Sequence, residues 1–392
     1  MTPELIADYR PGSFLLTSPR RGLLATGART VVAEPDPDEL SARVTKLLVD
    51  SDVPLAVGAL PFDSTGERAT APHVVLPRSV RWSGPVRPAR TGRPVPVDLD
   101  VVPVPAPAEY ERAVARAVTR LRAGELDKVV LARALRLHSA GPVAVAPLLA
   151  NLAADNATGY TYAVDLPTGG ASRRTLVGAT PEMLLSRSGL TVVCNPLAGS
   201  MPRHPDPELD RASAEALAAS AKDIEEHRVV IETVVDALRP FCRTLTVPDG
   251  PSLVSTSAVW HLSTMITGEL ADPGISSLRL ACALHPTPAV CGRPFGTAKD
   301  TIAELEPFDR GFYAGAIGWC DADGDGQWVV AIRCAEITEP APGAGPAASG
   351  STLTLYSGAG IMPASQPQLE LAETSAKFRT LLRAMGVPDI PA

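Results

Sequence analysis

The sequence predicts an α+β protein whose strands form antiparallel sheets. Three observations support this fold class. Many segments are rich in β-branched and apolar residues, as strands are. Several of these segments follow one another through short turns such as RSG and DADGDG, which favours antiparallel neighbours over a parallel βαβ array. Separate segments carry the apolar periodicity of helices.

The N-terminal segment alternates predicted strands with turns. GSFLLTSPRRGLLATG (12–27) predicts a hairpin, PDELSARVTKLLVD (37–50) a helix and LAVGALPF (55–62) a further strand. The stretch at 82–107 is so rich in proline that we expect it to be extended or to cross the surface.

The remainder of the chain begins with a predicted helix at 108–125. Its apolar stripe is Tyr110, Val114, Val118 and Leu121, and Gly124 is a plausible stop. DKVVLARALRLH (127–138) then alternates as a strand. Further strands are predicted at 161–166, 174–179, 183–195, 259–270, 312–320, 327–337 and 351–360, and further helices at 208–241, 277–284, 297–307 and 368–385. The segment 339–351 has the composition of a linker loop.

Composition limits the function. The chain has 392 residues and a formal charge of −7, so we expect no nucleic-acid surface and no membrane surface. We see no signal peptide or long apolar run, so we expect a soluble, cytoplasmic enzyme that acts on a small molecule. The six cysteines show no zinc or disulfide spacing and should be reduced and mostly buried. Of the basic residues, only lysine can act as a general base near neutral pH, and the chain has only five lysines: Lys46, Lys128, Lys222, Lys299 and Lys377.

Two glycine-containing motifs resemble known ligand loops only in part. DADGDG (321–326) begins like a calcium loop, but Ile332 stands where the bidentate Glu should be, so we predict a hairpin turn. GFYAGAIG (311–318) lacks the dinucleotide-binding spacing.

Two predicted helices each carry a pair of acids at i and i+3. KDIEEHRVV contains Asp223 and Glu226, and LELAETSAKF contains Glu370 and Glu373, followed by Lys377. Carboxylates from two helices would form an oxygen-only site, which favours magnesium over zinc. The spacing alone does not bring the helices together, and a solvated helix face is the ordinary alternative. We expect His227 to be a packed or hydrogen-bonded imidazole.

Nine sequence blocks occur in the order found in the chorismate-utilising enzymes, and the chain most resembles isochorismate synthases, including those of catecholate siderophore pathways. The resemblance extends from residue 109 to 385 and implies large antiparallel sheets flanked by helices, as in anthranilate synthase component I. It also implies one domain over 1–392, with a strand-rich part at 1–105 and a catalytic part at 106–388. The blocks are DKVVLAR, VGATPEMLL, NPLAGSMPR, KDIEEH, LHPTPAVCG, IAELEPFDRGFYAGAIGW, AIRCAEI, SGAGI and ETSAK.

The chemistry implied by the resemblance is a hydroxyl shift on chorismate, in which water adds at C2 and the C4 hydroxyl leaves. Lys128 matches the family's base and must be neutral to work, so its pKa should be lowered by burial or a neighbouring cation. Glu182 matches the acid and must be protonated at rest, so its pKa should be raised.

The resemblance also implies a magnesium site and a substrate pocket. Glu226 and Glu373 match the Mg²⁺ ligands, while Asp223 and Glu370 match acids that hold metal-bound water. Arg333 interrupts a predicted apolar strand and, with Lys377 and the Tyr313 hydroxyl, would bind substrate carboxylate. The remaining expected contacts are the backbone at Gly358 and Gly360 and pocket-shaping side chains at His285, Ala289 and Ser200.

Salicylate synthase, which eliminates pyruvate after the same first step, is the alternative that these motifs leave open. An aminating enzyme is disfavoured because the chain has no room for a glutaminase domain and because relatives of that type differ at HPTPAVCG. A non-catalytic binding protein is disfavoured because Lys128 and Glu182 are both present. We expect a monomer, and transient contact with a downstream enzyme that uses isochorismate stays open.

Overall fold

The computed structural model of the protein describes residues 5–65, 69–91, 95, 101–168, 172–340 and 350–387. Most of the predicted linker loop at 339–351, and residues 92–94 and 96–100 of the proline-rich segment, lie outside these ranges.

The described residues form twenty strands and eight helices. The strands are β1 (Ser13–Thr17), β2 (Gly22–Val32), β3 (Leu55–Leu60), β4 (His73–Ser83), β5 (Val102–Val104), β6 (Lys128–Ser139), β7 (Tyr160–Leu166), β8 (Ser172–Thr180), β9 (Met183–Ser188), β10 (Thr191–Asn195), β11 (Leu197–Pro202), β12 (Cys242–Thr246), β13 (Ser252–Ser255), β14 (Val259–Ser263), β15 (Ile266–Leu270), β16 (Gly292–Arg293), β17 (Ala316–Asp321), β18 (Gly326–Val330), β19 (Cys334–Pro340) and β20 (Ser351–Ile361). The helices are α1 (Pro37–Val49), α2 (Pro107–Arg122), α3 (Val145–Ala154), α4 (Pro207–Ala219), α5 (Ala221–Leu238), α6 (Ser277–Leu284), α7 (Phe295–Leu305) and α8 (Pro367–Met385).

Seventeen of the described strands belong to one antiparallel series, and β11, β14 and β13 form a separate three-stranded sheet. The series runs from β12 through β15, β10, β9, β18, β17, β3, β4, β2, β1, β7, β8, β19 and β20 to β6, whose other edge pairs with β5 and β16. The N-terminal strands join it because β1 pairs with β7 and β3 pairs with β17. The predicted α+β class with antiparallel sheets is confirmed.

The main hydrophobic core contains residues from both halves of this series. Val57 of β3, Ile317 of β17 and Leu131 of β6 belong to one buried cluster, to which α1, α2, α5, α6 and α7 also contribute. A second cluster joins Leu137 of β6 to helices α3 and α8. Strand β6 is therefore covered on both faces, and its first eight residues are all buried. The predicted alternation appears only beyond them, where Arg136 and His138 are exposed.

Helix α2 (Pro107–Arg122) begins one residue before the predicted helix at 108–125 and ends three residues before its end, and it has the predicted buried stripe. Gly124, just past its end, has a φ of +76°, a left-handed conformation that favours glycine. The predicted helix at 208–241 is instead two helices. Ser220 separates α4 from α5 with an extended ψ of 110°, and its hydroxyl accepts a hydrogen bond from the Asp223 N–H.

The predicted single strand at 327–337 is also divided. Strand β18 ends at Val330 and β19 begins at Cys334, and Arg333 lies between them with a φ of +51°. The expectation that Arg333 interrupts a continuous strand was wrong, because the chain leaves the sheet there. Similarly, β17 begins only at Ala316, so Tyr313 precedes the strand.

Two smaller predictions are confirmed. The DADGDG segment forms the turn between β17 and β18, where Asp325 pairs with Arg187. All six cysteines are free, and four are buried. None of the helices that the structure describes has the length and apolar character needed to cross a membrane.

Candidate active site

A narrow cleft with a cavity volume of about 60 Å³ lies where β6, β11, β20, α5 and α8 meet the β8–β9 connection and the break before β19. Ten of the predicted site residues line the cleft: Glu182, Ser200, Glu226, Ala289, Tyr313, Arg333, Gly358, Gly360, Glu373 and Lys377.

Four predicted site residues do not line the cleft. Lys128 and Glu370 are both buried. Lys128 pairs with Glu226, which lines the cleft, and Glu370 pairs with Lys222, which does not. Asp223 is buried at the start of α5 and accepts a hydrogen bond from the Ser220 hydroxyl. His285 was expected to shape or line the pocket, but its Nε2 lies 2.9 Å from the carbonyl oxygen of Pro61. Burial lowers the pKa of His285 to about 4, so it is a neutral packed imidazole.

Lys128 is the first residue of β6 and is completely buried. Its Nζ lies 3.0 Å from Oε1 of Glu226, which reaches it from α5. The burial that we predicted for the base is present. The partner of this buried side chain is therefore a carboxylate.

Glu182 lies in the connection between β8 and β9 and is 3 % exposed. Burial raises the pKa of Glu182 to about 7, although a backbone hydrogen bond from Leu197 and the charges of Lys128, Lys377 and Arg333 oppose the shift. A substantial fraction of this carboxyl is therefore protonated at neutral pH. The shift has the direction that a general acid requires.

Three of the four helix carboxylates pair with lysines. Besides the Lys128–Glu226 pair, Lys222 Nζ lies 2.6 Å from Oε1 of Glu370, and Lys377 Nζ lies 2.6 Å from Oε1 of Glu373. The two acid-bearing helices therefore meet, and the interpretation of a solvated face is wrong for these residues.

The pKa values of these acids show how much negative charge is confined here. Burial, reinforced by Glu373, raises the pKa of Glu370 to about 7. Burial also raises the pKa of Asp223. Burial opposes ionisation of Glu226 as well, but the charges of Lys128 and Lys222 outweigh it and keep the pKa of Glu226 below its usual value.

The donor set fits a hard divalent cation in its chemistry, because it consists of carboxylate oxygens in a buried, mutually repelling group. Their side chains are not arranged around one point: the described residues include no group of three or more Asp, Glu, His or Cys side chains that could hold a metal ion. Lysines are the cations that these carboxylates contact.

Arg333 is buried, and among the described residues it forms no salt bridge. One of its terminal nitrogens, Nη2, lies 3.1 Å from Nε2 of His261, which also lines the cleft. Burial and the charge of Arg333 hold the pKa of His261 well below its usual value, so the ring is neutral and Nε2 accepts the hydrogen bond. Burial lowers the pKa of Arg333 to about 10, so it stays charged at neutral pH.

Aromatic rings and glycines also line the cleft. Tyr313 stacks on Tyr356 with ring centres 4.8 Å apart. A Cβ at Gly358 would lie 2.8 Å from the Tyr313 hydroxyl, and a Cβ at Gly360 would lie 2.0 Å from Oε1 of Glu226. Both positions exclude a side chain because functional groups approach the backbone of β20. The Gly358 carbonyl accepts a hydrogen bond from Lys377 at 2.9 Å.

Three residues at or beside the cleft were not predicted as site residues from the sequence: His261, Tyr356 and Lys222. His261 and Tyr356 stand in apolar strands, where an isolated polar side chain resembles an ordinary packed residue. Lys222 directly precedes Asp223. Lysine is scarce in this arginine-rich chain, and that scarcity was the available signal for Lys222. His227 behaves as predicted: it is buried, and its Nε2 lies 2.7 Å from the Thr264 hydroxyl.

Comparison with known proteins assigns the family. Residues 92–386 match the family described as chorismate binding enzyme. The chain is 47 % identical to isochorismate synthase DhbC of Bacillus subtilis (strain 168), over 99 % of this chain and 97 % of that protein. It superimposes on the crystal structure of DhbC from Bacillus anthracis with a TM-score of 0.89 and 43 % identity, covering 98 % of both chains. Anthranilate synthase component I from Streptococcus pneumoniae TIGR4 shares the fold, with a TM-score of 0.68 and 22 % identity over 95 % of this chain and 90 % of that one. The protein therefore belongs to the chorismate binding enzyme family.

Proposed function

We propose that this protein is an isochorismate synthase, which converts chorismate to isochorismate. One observation carries the proposal: a single cleft combines the buried Glu182 carboxyl, whose pKa is about 7, with a buried lysine directly behind its wall. These are the acid and the base that a hydroxyl shift needs. The names of the similar DhbC proteins agree with this activity.

In the proposed reaction, Lys128 takes a proton from a water molecule whose oxygen forms a bond to C2. The ring double bonds shift, the bond between C4 and its hydroxyl breaks, and Glu182 donates the proton with which that hydroxyl leaves as water. One water enters and one leaves, so the reaction is an isomerisation. General acid–base groups of this kind contribute about 10²–10⁴ each in rate.

Substrate recognition is assigned to the cationic groups of the cleft. Arg333 offers a planar fork of N–H donors and, within the described part of the chain, lacks an acidic partner. An unpaired buried charge is costly, and a substrate carboxylate would offset that cost. Lys377 adds a second positive charge, and the Tyr313 hydroxyl a hydrogen bond.

We propose that Glu226 and Glu373 bind Mg²⁺ and that Asp223 and Glu370 hold its water ligands. When bound, the ion would supply positive charge to neutralise a carboxylate of the substrate. The pKa of Glu370 is raised first by burial and then by repulsion from Glu373, and the ion would offset that repulsion.

The test is to incubate purified protein with chorismate and Mg²⁺, separate the products by liquid chromatography and identify them by NMR. Glu182→Gln, which keeps the shape but cannot donate the proton, is the matched inactive control. Isochorismate from the wild type alone supports the proposal. Salicylate with an equal amount of pyruvate would make the enzyme a salicylate synthase, and unchanged chorismate would overturn the assignment.

A further inference from the structure

A buried ion pair lies behind the cleft and is not part of the proposed chemistry. Glu306 follows the last turn of α7, and Arg310 comes four residues later. Their side chains are each 2 % exposed. Arg310 donates from Nε to Oε2 of Glu306 at 2.9 Å and from Nη2 to Oε1 at 2.5 Å.

The pair lies against a part of β6 that has a neighbouring strand on only one of its two edges. One edge of β6 pairs with β20 from Val129 to Ser139. On the other edge, β16 pairs with Lys128 and Val129, and β5 pairs with Ala134 to Arg136. No strand in the described ranges pairs with the residues between them.

Glu306 and Arg310 fill this gap with side-chain hydrogen bonds. The Ala132 N–H donates to Oε1 of Glu306 at 2.7 Å, and Arg310 Nη2 donates to the Val130 carbonyl at 2.8 Å. Arg310 Nη1 also donates to the carbonyl of Val290 at 2.7 Å. Buried backbone groups without partners are costly, so the pair replaces a missing neighbouring strand.

Two of these bonds end at residues that line the cleft. Val130 and Val290 line it, and Val130 is two residues from Lys128. The Tyr313 N–H donates to the carbonyl of Arg310 at 2.8 Å, so a third lining residue is held by the same unit.

We propose that Glu306 and Arg310 are positioning residues, which hold the Lys128–Ala132 segment of β6 and the Tyr313 turn in the geometry that catalysis requires. The inference rests on the proposed function, because it acts through Lys128 and Tyr313. A displacement of about 1 Å at a reacting group can cost about 10² in rate. Glu306→Gln keeps an acceptor for Ala132 but removes the charge that aligns Arg310, so we expect kcat to fall at least about tenfold.

Glu339 provides a matched control. It is also a buried glutamate that accepts a backbone hydrogen bond, from Val143 at 2.9 Å, and pairs with an arginine, Arg173. Neither residue lines the cleft. Glu339→Gln therefore makes the same chemical change at a distant place. A double variant, Glu306→Gln with Arg310→Gln, removes both charges together and avoids leaving one buried charge alone.

The experiment compares the wild type and these three variants by three measurements. Hydrogen–deuterium exchange is followed in the peptide spanning 128–134, chorismate affinity is measured by calorimetry, and kcat is measured for isochorismate formation. Both Glu306 variants should exchange faster in that peptide and lose kcat at least tenfold, with chorismate affinity changed less than threefold. Glu339→Gln should match the wild type in all three.

Two results would overturn the inference: unchanged exchange in the 128–134 peptide of Glu306→Gln, or an equal loss of kcat in Glu339→Gln. Failure of the proposed function is recognised separately. A wild type that makes no isochorismate, with faster exchange in the Glu306 variants, overturns that function and still supports the placement of β6 by the pair.

Discussion

Nζ of the completely buried Lys128 lies 3.0 Å from Oε1 of Glu226, which lines the cleft. The residue proposed as the base and a residue proposed as a metal ligand therefore share one buried contact. Any change at one of them alters the charge environment of the other, because a buried pair is screened little by solvent.

Lys128→Ala should lower kcat by about 10²–10⁴, since no other group at this position can take the proton from water. The variant should fold, because β6 is covered by packing on both faces. Steady-state kinetics and circular dichroism measure the two properties. Lys299→Ala is the matched control, because Lys299 pairs with Asp63 outside the cleft. A folded Lys128→Ala variant with near-normal turnover would refute the assignment of the base.

The pH dependence of kcat/KM should show an alkaline limb that belongs to Glu182. Burial raises the pKa of Glu182 to about 7, and the proposed acid works only when protonated. We therefore expect kcat/KM to fall as pH rises above about 7, and the decrease should approach tenfold per pH unit. A profile from pH 6 to 9 measures it, and a flat profile over this range would show that Glu182 is not the acid.

Arg333→Lys should weaken chorismate binding by about tenfold or more, because lysine keeps the charge but loses the planar fork. His261→Ala should weaken it less, since it removes only the acceptor that orients Arg333. If His261 acts through Arg333, the effects should not add in the double variant. Calorimetry measures all three affinities, with Arg187→Lys as a buried control outside the cleft. Full additivity would mean that His261 acts independently.

Glu373→Gln and Lys377→Ala should separate metal binding from substrate binding, although the two side chains are 2.6 Å apart. Glu373→Gln removes a ligand charge from a hard cation and should raise the Mg²⁺ concentration needed for activity steeply. Lys377→Ala should spare the metal requirement and weaken chorismate binding. Paired titrations of Mg²⁺ and chorismate measure both. An unchanged Mg²⁺ dependence in Glu373→Gln would remove this residue from the metal site.

Short-range sequence patterns predicted the helix and the turn whose conformation depends on residues close together in the chain. The stripe of α2 is visible as an apolar repeat, and the turn at Gly124 follows from a residue type that tolerates positive φ. Helix α3 was not predicted, because seven of its ten residues are buried and it lacks the polar face that marks an amphipathic helix.

The site was predicted less completely because it depends on contacts between distant segments. Glu226 and Lys128 are 98 positions apart in the sequence, and no spacing rule joins a helix to the start of a strand. The backbone break at Arg333 was hidden by flanking apolar residues that continue the strand pattern on both sides. Lys222 meets Glu370 only in the folded chain, so its role as a counterion could not be derived from spacing.

The central claim is that water adds at C2 while the C4 hydroxyl leaves, and oxygen labelling tests it most directly. Chorismate is incubated with the protein and Mg²⁺ in ¹⁸O-labelled water, and the product is analysed by mass spectrometry and ¹³C NMR. The account predicts isochorismate with one labelled oxygen, located at C2. Isochorismate with no label would contradict it, because the hydroxyl would then have moved without exchange with the water that Lys128 is proposed to activate.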